Sequence, residues 1–107
     1  MNVETNNNIK CTIALATLEN VIDPEIGLNV VDLGLIYQID FDELSKTLMC
    51  IMTLTTQYCP MGESIRSGVI QALQGVFPEY KPEVELSFNP EWSYEMISES
   101  GKKFLEL

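Results

Sequence analysis

An α+β domain, an α/β two-layer arrangement in which helices pack a small three-stranded mixed sheet in the order α-β-β-α-β-α, is predicted by three features of the 107-residue chain. Two segments repeat apolar residues at helical spacing, three others read at strand spacing, and short polar or proline-bearing links separate them. The polar stretch Met1 to Asn8 reads as a flexible N-terminus, leaving residues 9–107 as one domain.

The first helix is expected between Ile9 and Ile22, where Ala14, Leu15, Leu18, Val21 and Ile22 share a face. Asp23-Pro24 is expected to end it, since the residue before proline is pushed out of the α region. The run from Asp23 to Gly34 carries two glycines and a proline and reads as a structured loop. From Leu35 to Phe41 the pattern alternates, with Leu35, Tyr37, Ile39 and Phe41 on one face. Thr47 to Leu54 is apolar on both faces, as in a central strand, and the short link at Asp42 to Ser45 predicts an antiparallel hairpin.

Met61, Ile65, Val69, Leu73 and Val76 mark a second helix, with Pro60 suited to its first position and Ser64 and Gly68 allowing close approach to a sheet. Glu83 to Phe88 alternates again, with Val84, Leu86 and Phe88 inward, as the third strand. Its place beside one or the other member of the hairpin is left open. Ser93 to Leu105 reads as a short terminal helix that Gly101 can break.

Hydrophobic residues make up 46% and charged residues 21%, which is the composition of a folded chain and excludes general disorder. Sixteen acidic against six basic residues give a formal charge of −10, which opposes binding to nucleic acid or to an anionic membrane. A basic protein partner is favoured, although acidic residues also serve solubility alone. Three scattered cysteines make no disulfide framework, and no signal-peptide pattern opens the chain, so a reducing cytoplasmic setting is expected. The longest apolar run, Leu48 to Met52, is too short to span a membrane.

With no histidine, the imidazole base of a triad is missing, and the glycines form no phosphate-binding pattern. Cysteine and carboxylates remain. Cys59, at or beside the expected N-cap of the second helix, is favoured as a thiolate by that helix end and so as a metal ligand or nucleophile, against the alternative of an inert structural residue. Cys50 reads as a small core hydrophobe, and Cys11 is ambiguous. Asp23, Glu25 and Asp32 gather carboxylates in the first loop, where they either face Cys59 or serve as helix terminator and turn former. Thr55 is placed to support the Cys59 loop. Trp92 is either a partner-facing anchor or the lid of the terminal helix on the core.

Three ordered motifs carry a resemblance: DPEIGLNVVDLGLIY from Asp23 to Tyr37, TLTTQYCPM from Thr53 to Met61, and NPEWSYEMISESGKKFL from Asn89 to Leu105. Together they resemble the small iron–sulfur cluster assembly domains that include the SufT-like maturation factors and the PaaD-like phenylacetate-pathway proteins. The resemblance runs from about Ile9 to Leu105 and implies a compact α/β domain that assembles or delivers iron–sulfur clusters without turning over a small substrate. The cysteine of the family's T-x-x-x-C-P motif falls on Cys59 and its threonine on Thr55. The acidic loop motif falls on Asp23, Pro24 and Glu25, and D-L-G on Asp32, Leu33 and Gly34. Members often carry proline and glycine before the cysteine, where this chain has Gln57 and Tyr58.

The resulting expectation is an iron–sulfur assembly or transfer factor, not an enzyme, with Cys59 as transient ligand of iron or a cluster and Asp23, Glu25, Asp32 and Thr55 shaping its pocket. Its expected partners are client apoproteins and the assembly machinery, with a homodimer allowed and no nucleic acid or membrane. One thiolate cannot hold a cluster alone, because clusters take four ligands. The competing readings are a metal-free protein–protein adaptor using the acidic surface and Trp92, and a small thiol enzyme built on Cys59.

Overall fold

A computed structural model describes residues 3–56 and 61–106. The sheet has four strands: β1 (Glu4–Thr5), β2 (Ile36–Asp42), β3 (Thr47–Met52) and β4 (Lys81–Leu86), in that spatial order. Helices α1 (Asn8–Leu18) and α2 (Gly62–Val76) pack on each other, and α3 (Glu99–Leu105) closes the chain. The α+β class is as the sequence reads, but the sheet gains a strand. β1 lies parallel to β2, β2 antiparallel to β3, and β3 parallel to β4, so the last strand sits beside the second hairpin member.

The fourth strand comes from the polar start that the sequence left outside the fold. Its extension at Asn6 uses a side chain in place of backbone: Asn6 Nδ2 donates to Phe41 O at 2.9 Å, and Phe41 N donates to Asn6 Oδ1 at 2.9 Å. Asn7 then caps α1, its carboxamide accepting from Lys10 N at 3.0 Å. A run of polar residues at a sheet edge gives no alternation to read, and so no strand was expected there.

The hairpin and the β3-α2-β4 unit put Ile39, Phe41, Leu48, Cys50, Met52 and Val84 into the core beneath the helices. Register slips between Ile36 and Gln38. That irregularity takes Tyr37 out of the expected face: its hydroxyl donates to Pro90 O at 2.8 Å in the C-terminal segment. Phe41, Phe77 and Tyr80 meet edge to face, with centroids 5.1 to 6.0 Å apart.

Several boundaries differ from expectation. α1 stops at Leu18, well before Asp23-Pro24, and Ile22 instead bridges Asn29 across the loop. Gly68 lies under Val21 and not under the sheet, since a Cβ there would come within 3.3 Å of Val21 Cγ1. The terminal helix breaks at Ile97-Ser98, between a 3-10 turn at Tyr94–Met96 and α3, while Gly101 lies inside α3 and is buried. A side chain at 101 would press Ile97 Cγ2 at 2.7 Å and Leu28 Cδ2 at 2.9 Å, so glycine is there to let α3 close on the loop.

Candidate functional site

The loop between α1 and β2 holds the first set of expected site residues. Asp23 is buried, with 2% exposure, and works as a turn former: its Oδ1 accepts from Glu25 N at 2.9 Å, while its carbonyl accepts from Gly27 N at 2.7 Å. Gly27, at φ +84°, completes this turn. Glu25 is exposed at its tip. The loop's far side abuts α2, and a groove of about 430 Å³ there is lined by Ile22, Pro24, Met61, Ser64 and Gly68. The Asp23-Pro24-Glu25 motif and the start of α2 are thereby neighbours.

The threonine-cysteine motif follows β3. Thr53 is buried and its N–H donates to Leu35 O at 2.8 Å, continuing the sheet past the strand's end. Leu54 is buried against Gly62, where a Cβ would come within 2.8 Å of Leu54 Cδ1. Thr55 follows, half-buried, in a bend. Cys59 and its neighbours Gln57, Tyr58 and Pro60 lie outside the described residues. α2 begins at Gly62 with Met61 as its N-cap residue. The helix therefore starts later than the expected placement of Pro60 at its first position and Cys59 at its cap.

Asp32 belongs to a different cluster from Asp23. Its Oδ2 accepts from Asn29 Nδ2 at 2.7 Å and its Oδ1 from Ser98 Oγ at 2.7 Å, while its carbonyl accepts from Ser98 N at 2.8 Å. Ser98 Oγ in turn accepts from Gly101 N at 3.0 Å as the N-cap of α3. Gly34, at φ +79°, lets the backbone of Met96 lie against it. Trp92 completes the clasp, half-buried on the core, with Nε1 donating to Leu33 O at 2.6 Å and its ring edge on exposed Tyr94. The D-L-G and N-P-E-W motifs thus meet residue against residue. Asn29 and Ser98 were missed by sequence reasoning. The Asn before Val-Val-Asp, an Asx turn whose Oδ1 takes Val31 and Asp32 N–H groups, was the available signal for the first.

The other two cysteines are enclosed. Cys11 is 4% exposed in α1 and Cys50 fully buried in β3, which agrees with the core reading of Cys50. Burial raises both thiols above their ordinary value, and that of Cys50 is pushed up to about 12. Burial disfavours the thiolate at both positions. Among the described residues, no group of three or more cysteine, aspartate or glutamate side chains is arranged to hold a metal ion.

The family model for iron–sulfur cluster assembly proteins matches residues 13–86, which span the first loop, the threonine-cysteine motif and α2. The chain belongs to this family. It is 40% identical over 89 residues to the Fe-S protein maturation auxiliary factor YitW of Bacillus subtilis, covering 82% of this chain and 85% of the relative. To the Fe-S protein maturation auxiliary factor SufT of Staphylococcus aureus it is 37% identical over 82 residues, covering 77% of this chain and 92% of that one. The fold matches the crystal structure of a domain of unknown function, DUF59, from Bacillus anthracis with a TM-score of 0.83 and 39% identity, over 90% of this chain and 91% of the other. The resemblance carried by the three motifs is therefore a family membership.

Proposed function

We propose that this chain is an auxiliary factor in iron–sulfur protein maturation, in which the Cys59 thiolate takes up iron or a cluster transiently and yields it to a client apoprotein. Membership in the assembly family and relatives named as maturation auxiliary factors supply the context. The observation that carries the assignment is the enclosure of Cys11 and Cys50, which withdraws two of the chain's three cysteines and leaves Cys59 as the candidate ligand.

The chain's own contribution to a cluster is then one thiolate. Clusters take four ligands, so the remainder come from small thiols, a second copy or the client itself. Such a ligand set suits delivery: a client cysteine thiolate replaces Cys59 on iron, one Fe–S bond forming as another breaks, with no change of oxidation state. A helix N-terminus favours a thiolate held beside it, and α2 begins at Gly62, three residues after Cys59 in sequence. Pro24, between Asp23 and Glu25 in sequence, shares a groove with Met61 at the start of α2, whereas Asp32 acts by tying the first loop to α3. Thr55 leads into the cysteine segment. This is a helper without turnover of a small substrate, working with assembly machinery and clients. Among the described residues no helix is long and apolar enough to cross a membrane.

The test is transfer. Chain loaded with iron and sulfide under anaerobic conditions is mixed with an apo [4Fe–4S] dehydratase, and recovery of dehydratase activity is followed in the presence of an iron chelator. Wild type is expected to restore activity and Cys59→Ser to fall to the level of free iron and sulfide. Equal transfer by both proteins would overturn the assignment of Cys59.

A further inference from the structure

We propose that the face of the sheet turned away from α1 and α2 is a docking surface for a basic amphipathic helix of a partner protein. This goes beyond the carrier reading and holds whether or not Cys59 binds iron.

The strand register defines the surface. One row across the four strands is Glu4, Gln38, Ile51 and Glu85, the next is Asp40, Met49 and Glu83, and the last is Asp42, Thr47 and Lys81. A sheet packed on one side alone ordinarily shows polar side chains to water throughout the other side. Here the central strand presents half-exposed Met49 and Ile51, and carboxylates stand on the strands to either side. Glu4 and Asp42 on one flank and Glu83 and Glu85 on the other are exposed. Grooves of about 850 and 500 Å³ open on this face, the first lined by Ile36, Tyr37, Ile51 and Met96, the second by Asp40, Met49 and Glu83.

Charge and width select the occupant. The chain's six basic residues do little to neutralise the face: Lys10 and Lys46 pair with Glu43, and Arg66 pairs with Glu63 and caps Val84 O at 3.0 Å. Lys81 and, in the larger groove, Lys102 border it, and Lys103 is exposed on α3. β2 and β4 are two strand spacings apart, roughly 10 Å, which matches the diameter of a helix at about 10–12 Å. A helix with an apolar stripe and lysine or arginine on both flanks would set the stripe on Met49 and Ile51 and its cations on the two acidic rails. A second copy of this chain is disfavoured, since each carries a charge of −10.

The probe is a fluorescein-labelled helical peptide with a leucine stripe flanked by lysines, titrated by fluorescence anisotropy with the apo chain, and mapped by methyl NMR. Expected results are shifts confined to Met49 and Ile51, loss of binding on replacing the lysines by glutamate, and weakening in raised salt. Replacing leucines by serine should also abolish it. The double variant Glu83→Gln/Glu85→Gln should bind about five-fold more weakly, on the scale of two exposed ion pairs, while Glu19→Gln/Glu79→Gln, equal in charge and off the sheet, should bind as wild type. Equal weakening by both double variants, full binding by the serine peptide, or methyl shifts at Ile9 and Ile13 of α1 in place of the sheet would each overturn the proposal. So would sedimentation showing that the chain covers this face by self-association. Because the apo chain is used, failure here leaves the cluster-transfer test untouched, and the converse also holds.

Discussion

Gly34 and Gly27 form a matched pair, because both hold a left-handed backbone and only one is crowded. Gly27 has φ +84° with nothing within 4 Å of where a Cβ would stand, whereas at Gly34, φ +79°, the same atom would meet Met96 O at 2.3 Å and Met96 C at 2.9 Å. An alanine at positive φ costs about 1 kcal/mol. Overpacking against a rigid neighbour adds roughly 1–3 kcal/mol, and the neighbour here is backbone, which cannot turn aside as a side-chain tip can. Gly27→Ala should therefore lose about 1 kcal/mol and Gly34→Ala about 3 kcal/mol. In urea, with a slope of about 1.5 kcal/mol per molar, the midpoints fall by roughly 0.7 M and 2 M. Tryptophan fluorescence is the matching probe, since Trp92 bonds Leu33 O immediately beside Gly34. Midpoints for the two variants within about 0.3 M of each other would refute the close seat of Met96 on Gly34, and with it the clasp between the D-L-G motif and the C-terminal segment.

Other consequences concern the caps, the sheet edge, acid and the thiols. Ser98→Ala removes the cap of α3 and a bond to Asp32, so a loss of about 1–2 kcal/mol is expected, read as a lowered thermal midpoint. Asn6→Ala removes both bonds to the Phe41 backbone and should cost about 1–2 kcal/mol, with faster amide exchange at Phe41 as the local signature. Glu43 is held down to about 2, from an ordinary 4.5, by hydrogen bonds from Tyr80, then Lys10 and Lys46. A depressed carboxylate stabilises the fold above its unfolded value, and that contribution fades as pH falls from 4.5 to about 2. The thermal-midpoint gap between wild type and Glu43→Gln should thus be full at neutral pH and close across that window; a gap independent of pH would contradict the cluster. In the native chain iodoacetamide should modify Cys59 alone, with Cys11 and Cys50 reacting only after unfolding, as mass spectrometry of digests would show.

Periodicity disclosed what periodicity encodes. The alternation of Val84 and Leu86, the apolar run of β3 and the helical stripe from Ile65 to Leu73 all lie where the sequence pattern places them. β1 escaped because Glu4-Thr5-Asn6 has no apolar face, and half its edge is built by a carboxamide imitating a peptide group. Tyr37 leaves the face that alternation gives it because the register slips between Ile36 and Gln38, while Ile39 and Phe41 keep theirs. The end of α1 was placed at a proline, although the chain had already left the helix at Leu18. At the candidate site, the turn-forming role of Asp23 before proline could be read from the motif, but the partner of Asp32 could not. Ser98 lies 66 residues away, and no local pattern announces a contact across that distance. Trp92 is half-buried, its indole bonded to Leu33 O, with Tyr94 beside it at the surface.

We propose Cys59 as the point at which this chain holds iron. Its direct test is anaerobic reconstitution of wild type, Cys59→Ser and, as a control for thiol count, Cys11→Ser, with iron and acid-labile sulfide measured per chain after desalting and circular dichroism confirming the fold. Retention by wild type and Cys11→Ser but not by Cys59→Ser is the predicted result. Equal retention by all three folded proteins, or retention by none of them, would contradict the account.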